Sequence, residues 1–268
     1  MGFCYYDFLL LSCVQPNNNT TMSLSFAEVA SLWKTEKSKY IKRSSYAVYV
    51  LYLNKHLLPW FGPGNVPNSK TVQGFVDECL SKGKTKNTIR GYLLVLNMVL
   101  QYSESLGEWH YQKYHVHYPA FERSHKLQVF TVPQQQLLIK YLIDNISFRN
   151  LGIIICLNSG LRIGEICGLQ WRDLDLATGE IHVRKTVQRI FLSDGEDKEY
   201  ALSIDTPKTE SSARDIPMSR DLIKLVRPLK TLTHEDYYVI SNSQTPLEPR
   251  YYRNYLRKVL GILVHCNI

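Results

Sequence analysis

The hydrophobic period of this chain changes partway along it, and that change limits the folds open to it. Between residues 25 and 107 apolar side chains recur every three to four positions, most clearly Ile89, Tyr92, Leu93, Leu96, Val99 and Leu100 on one helical face. Beyond Trp171 the period drops to two, in GEIHVRK (179–185) and EYALSID (199–205), as a half-buried strand requires. A chain that is helical first and mixed later reads as α+β: mainly α with a small β-sheet.

Four helices are expected in the first half. Ser25 caps one that contains Phe26, Val29, Ala30 and Trp33, with Glu28 as the capping-box partner. The others cover about 44–59 and 71–80, and the fourth carries the face from Ile89 to Leu100 and is closed by Gly107. Short connections make them a bundle. Residues 110–132 show no sustained period and carry Pro119, with Pro133 just beyond, so they read as a linker between domains. Its histidines, His110, His115, His117 and His125, read as linker surface because acidic or Cys partners are not at hand. In the second half, helices are expected at 134–144, at 151–158 and from Arg162 to Trp171. The two strands follow, joined through a turn at Ser193, Asp194 and Gly195, then a short strand at 214–217 and helices around Leu222 to Val226 and over 250–260. The domains are thus 25–109 and 133–268. Residues 1–24 read as a non-structural extension, with Met22 as the true start.

Charge is uneven. The net charge is +8, and 11 basic residues face 3 acidic ones between Lys34 and Arg90. Such a footprint suits a polyanion, most simply nucleic acid. No CxxC pair or zinc-spaced His/Cys cluster occurs, so no metal is expected. Six scattered cysteines fit a reducing, cytoplasmic setting, with Cys156 and Cys167 as ordinary buried thiols. No apolar run approaches the ~20 residues of a membrane span, so no membrane is expected as a partner.

Two short segments carry chemistry. In NSGLRIGEICG (158–168) a single arginine, Arg162, follows an apolar stretch, and Glu165 lies one helical step on. Glu165 can pair with Arg162 and hold its guanidinium still, which suits gripping a phosphate through two parallel hydrogen bonds. A structural ion pair at a helix start reads the same residues equally well. The second segment is TPKT (206–209), where Pro207 disfavours helix and Lys208 stands out on a turn.

Taken together, NSGLRIGEICGLQWRDLDL, two strands and then TPKTESSARDIPM resemble the tyrosine recombinase (phage integrase) family. The N-terminal half, with KTKNTIRGYLLVLNMVLQYSESLG near its end, looks like the family's core-binding, SAM-like DNA-binding domain. The resemblance covers about 25–262. It implies an α-helical core-binding domain and a mixed catalytic domain that clamp duplex DNA. A tyrosine attacks the scissile phosphate, joins the 3′ end and frees a 5′ hydroxyl, which later attacks a partner strand. Bond energy is conserved, so the resemblance implies neither metal, ATP nor small-molecule cofactor. By resemblance Arg162 matches the arginine that holds the non-bridging oxygens, Glu165 the acid that braces it, and Lys208 the lysine that protonates the leaving oxygen. Lys37, Lys42, Arg43, Lys84, Lys86 and Arg90 are the expected DNA contacts of the helical domain, chosen from charge density.

The family pattern then calls for a histidine-and-arginine box, a further His or Trp, and a tyrosine near the C-terminus. Val259, Leu260, Gly261 and Ile262 resemble the approach to the box, but His265 is followed by Cys266 and Asn267, and the arginine position falls on Ile268. Tyr251, Tyr252 and Tyr255 precede the box position and read as packing or backbone-contact residues. The expectation is a recombinase-family chain, truncated, that binds double-stranded DNA and takes part in site-specific recombination without cleaving alone. It acts either in assemblies with full-length recombinase subunits or as a non-catalytic occupant of recombinase sites. A basic helical adaptor with no DNA role is the third reading, and the Arg162 and Lys208 segments argue against it.

Overall fold

The computed structural model describes residues 24–62, 67–120, 129–191, 200–205 and 213–265, with backbone alone at 191 and 262–265. Residues 1–23 of the extension expected at 1–24, the turn at Ser193 to Gly195, and Lys208 lie outside the described residues, whereas Leu24 is structured, packing on the bundle and donating its N–H to Glu108 Oε2 at 2.9 Å.

The first half is helical throughout. Helix α1 (Phe26–Lys37) starts at Ser25, whose Oγ accepts from the Glu28 N–H while the Glu28 carboxylate accepts the Ser25 N–H at 2.8 Å, the capping box read from the sequence. Helix α2 (Arg43–Tyr52) runs through a wide π turn (Leu53–Leu57) into α3 (Leu58–Phe61), which together form the single helix expected there. Helix α4 (Ser69–Ser81) is capped by Asn68, and α5 (Lys86–Ser105) by Thr85. Their apolar faces meet in one cluster that buries Phe26, Trp33, Leu57, Phe61, Phe75 and Leu96.

The expected linker does not hang free. Tyr111, Tyr114, Val116 and Tyr118 pack on the bundle's cluster, and the Tyr114 hydroxyl donates to the Pro67 carbonyl at 2.5 Å. Apolar side chains at every second or third position let an extended strand of chain lie along the helices, a pattern too short to announce itself as a period. His110 does find an acidic partner, Glu104, at 3.1 Å on the surface, contrary to the sequence reading.

A second cluster forms around α7 (Phe148–Ser159), where Leu151 to Ile155 are all buried. A helix buried on this many sides sits centrally. Helix α6 (Val132–Asp144) packs on it, as do α8 (Ile163–Gly168), α9 (Arg220–Lys230) and α10 (Pro249–His265). Strands β1 (Leu174–Asp175), β2 (Glu180–Val183) and β5 (Arg214–Pro217) form an antiparallel sheet in the order β1-β2-β5. Strands β3 (Thr186–Phe191) and β4 (Tyr200–Asp205) form a separate antiparallel pair.

Two expectations are corrected. The helix from Arg162 stops at Gly168, short of Trp171. There the chain leaves the helix but stays buried, and tertiary bonds replace helical ones: the Val239 N–H donates to the Leu169 carbonyl at 2.9 Å, and the Trp171 N–H to the Tyr237 carbonyl at 3.0 Å. The strand at 200–205 pairs with β3 and not with β2, in register from Thr186↔Asp205 to Phe191↔Tyr200. Strand β3 escaped the sequence reading because its apolar residues do not alternate. Val187 belongs to the second cluster, whereas Ile190 is buried outside both clusters, on a strand against which α2 packs.

Candidate phosphate-binding site

Three local features deliver Arg162. Helix α7 ends at Gly160, whose φ of +67° is the left-handed conformation that glycine adopts without penalty. Two residues later Arg162, extended at φ −72°, ψ 154°, caps α8. Gly164 then lets β3 cross the helix. A Cβ there would lie 2.5 Å from Thr186 Oγ1 and 2.8 Å from the Val187 carbonyl oxygen.

Glu165 is the anchor. It is 6% exposed, and four hydrogen bonds fill its carboxylate. Oε1 accepts from Arg162 Nη1 at 2.9 Å and Arg214 Nη1 at 3.0 Å; Oε2 accepts from the Arg162 N–H and from Arg214 Nη2, both at 2.8 Å. Burial works against ionisation, but the Arg214 fork, and after it the Arg162 N–H and guanidinium, outweigh it and hold the pKa down at about 2. Glu165 is therefore a fixed anion between two guanidiniums. Arg162 is the outward-facing one, with its side chain 74% exposed, while Arg214 is 30% exposed. A guanidinium tied by one edge and open on the other can accept a phosphate with little loss of side-chain freedom.

The sequence reading missed Arg214, although it lies in the same TPKTESSARDIPM stretch as Lys208. Its strand is pinned beside β2, where Val183 pairs with Arg214 and His182 Nδ1 meets Asp215 Oδ1 at 2.7 Å. The His182 bond, and then Arg184, hold the Asp215 carboxyl below the usual range. Only a strand order that sets β5 against β2 reveals that Arg214 reaches Glu165 across 49 residues.

Arg162 opens onto a groove of about 570 Å³ between α8, β3 and the start of α10. Arg189, Arg250, Arg253 and Arg257 also line it, and among the described residues no carboxylate does. The final-helix tyrosines do not line it. Tyr252 is 3% exposed and donates to the Arg149 carbonyl at 2.7 Å, with burial pushing its phenol far above the ordinary value. Tyr255 donates to Asn150 Oδ1 at 2.6 Å, and Tyr251 lies against Arg149. Cys167 is a buried thiol as expected and Cys156 is half-buried, and burial raises each to about 12, so neither is reactive.

The bundle residues chosen from charge density are not gathered in one place. Lys84 lies close enough to His56, together with Lys55 and Lys82, to add to the fall in the His56 pKa that burial begins. Lys86 sits 5.8 Å over the Tyr118 ring, which also feels Arg90. Lys42 and Arg43 begin α2, which packs against β3. Lys37 lies apart, in a pocket with Tyr40, Met98 and Tyr102 at the far end of α5. Lys55 and Lys82 were not among the sequence candidates; the fold brings Lys82 and its near neighbour Lys84 to His56 and Lys55. Among the described residues no group of His, Cys, Asp and Glu could hold a metal, and no helix is long and apolar enough to cross a membrane.

The pH dependence of folding should report Glu165. Its folded pKa of about 2 lies below the ordinary 4.5, so its stabilisation is complete above pH 4.5 and is lost as pH falls through about 2. A shift of this size is worth about 3 kcal/mol. Urea unfolding of the parent chain should weaken over that window, while Glu165→Gln should start weaker and show less of this acid dependence. Identical pH profiles for the two would show that Glu165 is not the titrating anchor.

The sequence model for the phage integrase family matches residues 128–262. A tyrosine recombinase XerC-like protein of Caldanaerobacter subterraneus subsp. tengcongensis is 27% identical over 84 residues, which is 31% of this chain and 22% of that protein. The ICEBs1 integrase of Bacillus subtilis is 30% identical over 126 residues, 43% of this chain and 29% of that protein. The matches thus span less than a third of either relative's length. Among solved structures, the Tn1549 transposon integrase (residues 82–397) in complex with transposon right end DNA has a TM-score of 0.59 at 18% identity, covering 78% of this chain and 65% of that one. A lambda integrase tetramer bound to a Holliday junction gives 0.55 at 15% identity, covering 89% and 64%. At these identities the likeness is one of fold.

Proposed function

This chain belongs to the phage integrase family of tyrosine recombinases, and from that membership we propose that it binds double-stranded DNA and takes part in site-specific recombination. One observation carries the reading: an exposed Arg162 guanidinium is held by a buried, four-times-bonded Glu165 at the mouth of a groove that is lined by arginines and, among the described residues, by no carboxylate. Such a site fits a phosphodiester, whose charge it neutralises through donors already in position. The DNA and Holliday junction bound by the two structural relatives support the same substrate. In this reading the helical domain at 25–109 and the domain at 133–268 close on the duplex, Glu165 braces Arg162, and Lys208 protonates the leaving 5′ oxygen. The exchange of one phosphoester for another conserves bond energy and calls for neither ATP nor metal. A DNA substrate fits the cytoplasmic setting expected from the sequence.

We further propose that this chain does not cleave a strand by itself. The tyrosines of α10 are turned to the core or to Arg149, and none reaches the groove. Its role is then to occupy recombinase sites, alone or beside other recombinase subunits. A nicked duplex that traps covalent intermediates tests this, offered to the 268-residue chain alone and together with a complete relative. The expected result is salt-sensitive binding by the chain with no covalent adduct. An adduct formed by the chain alone would overturn the second proposal, and absence of salt-sensitive binding would overturn the first.

A further inference from the structure

We infer that the groove beside Arg162 is a track for one sugar-phosphate strand, in which Arg250, Arg253 and Arg257 of α10 hold the phosphates that flank the one facing Arg162. The inference rests on the DNA-binding reading and assigns part of the interface to a helix that charge density along the sequence did not select. Residues 250, 253 and 257 follow one another at three and four positions, so they form a single stripe on the helix. All three are exposed, and all three line the groove.

Neighbouring charges are taken up differently. Arg189, on the β3 side, bonds Glu248 at 2.9 Å and lies 3.8 Å from the centre of the Tyr200 ring. That pairing ties the β3–β4 hairpin to the start of α10 and uses the carboxylate next to the stripe. The stripe residues themselves have no ion pair or hydrogen bond among the described residues. Three like charges on one helix face repel each other by a few tenths of a kcal/mol per pair unless a polyanion lies along them.

Spacing favours a strand over a single small anion. Seven residues of helix rise about 10 Å, and one strand of duplex DNA carries a phosphate for about every 3.4 Å of its axis. The stripe therefore matches a short run of consecutive phosphates. The groove is open, and Thr186, Gln188 and Asn254 add neutral donors along its length. Arginine suits this task because its planar fork meets phosphate oxygens in pairs.

The test compares the 268-residue chain with an Arg250→Ala, Arg253→Ala, Arg257→Ala triple variant. Fluorescence anisotropy with a labelled duplex is measured across a range of salt concentrations. The expected result is a slope of log affinity against log salt that is shallower by about 3, with affinity on the order of 10²-fold weaker at low salt. A triple variant with lysine at the same positions keeps the charge and should keep most of the slope, whereas loss of folding would affect it too. If the parent binds with a steep salt dependence and the alanine variant shows the same slope, the track is wrong and the DNA-binding reading survives. If the parent shows no salt-dependent binding, that reading fails and takes the track with it.

Discussion

Replacing Arg214 with alanine should destabilise the second unit by about 3–5 kcal/mol, the usual result of removing one partner from a buried ion pair. The size follows from where each charge sits. Glu165 is 6% exposed, so without the Arg214 fork it keeps a buried carboxylate with half its hydrogen bonds missing. Arg162, at 74% exposure, can return to water, and Arg162→Ala should cost only about 1 kcal/mol. The carboxylate would respond by taking up a proton more readily, so the Arg214→Ala variant should begin to lose stability at a higher pH than the parent. Urea unfolding at neutral pH checks the first claim, and the pH dependence checks the second. A Glu165→Ala, Arg214→Ala double variant should be less damaged than the sum of the single ones, because it removes the buried charge together with its partner. If Arg214→Ala leaves the urea midpoint unchanged, Arg214 is a surface arginine and the anchor described above is wrong. The functional consequence follows from geometry: once Glu165 is free to move, Arg162 loses its fixed orientation toward the groove.

Alanine at Lys82, Lys84, Lys86 and Arg90 together should weaken duplex binding by on the order of 10²–10³-fold at low salt and reduce the salt slope by about 4. These residues lie at the end of α4 and the start of α5. Basic residues at a helix start oppose the helix dipole, so Lys86 stabilises α5 poorly by itself, while an approaching phosphate is drawn by both the charge and the dipole. Lys37→Ala should change binding little, because Lys37 sits among Tyr40, Met98 and Tyr102 at the other end of α5. Anisotropy measurements on the two variants decide the matter. Equal losses from Lys37→Ala and from the cluster would mean that net charge, and not this patch, governs affinity.

The helices were largely legible because each reports on itself. Ser25 with Glu28, and the apolar face from Ile89 to Leu100, fix α1 and α5 through contacts within a few residues. The Arg162–Glu165 pair was legible for the same reason, since three helical positions separate the two. Strand β3 was not legible, because its residues serve different neighbours: Val187 packs into the second cluster, whereas Ile190 is buried apart from it on the strand that α2 meets. The end of α8 was misjudged because Leu169 and Trp171 exchange helical bonds for bonds to Val239 and Tyr237, some 70 positions away.

The sequence by itself determined the helical bundle, the α+β class, the basic character of the chain and the local brace on Arg162, all of which depend on residues close together along it. Only the tertiary structure decided that Arg214 completes the Glu165 anchor, that Lys82 and Lys84 meet Lys55 at His56, and that the arginines of α10 open onto the groove at Arg162. Charge interactions depend on distance through space, and strand order and helix packing set that distance.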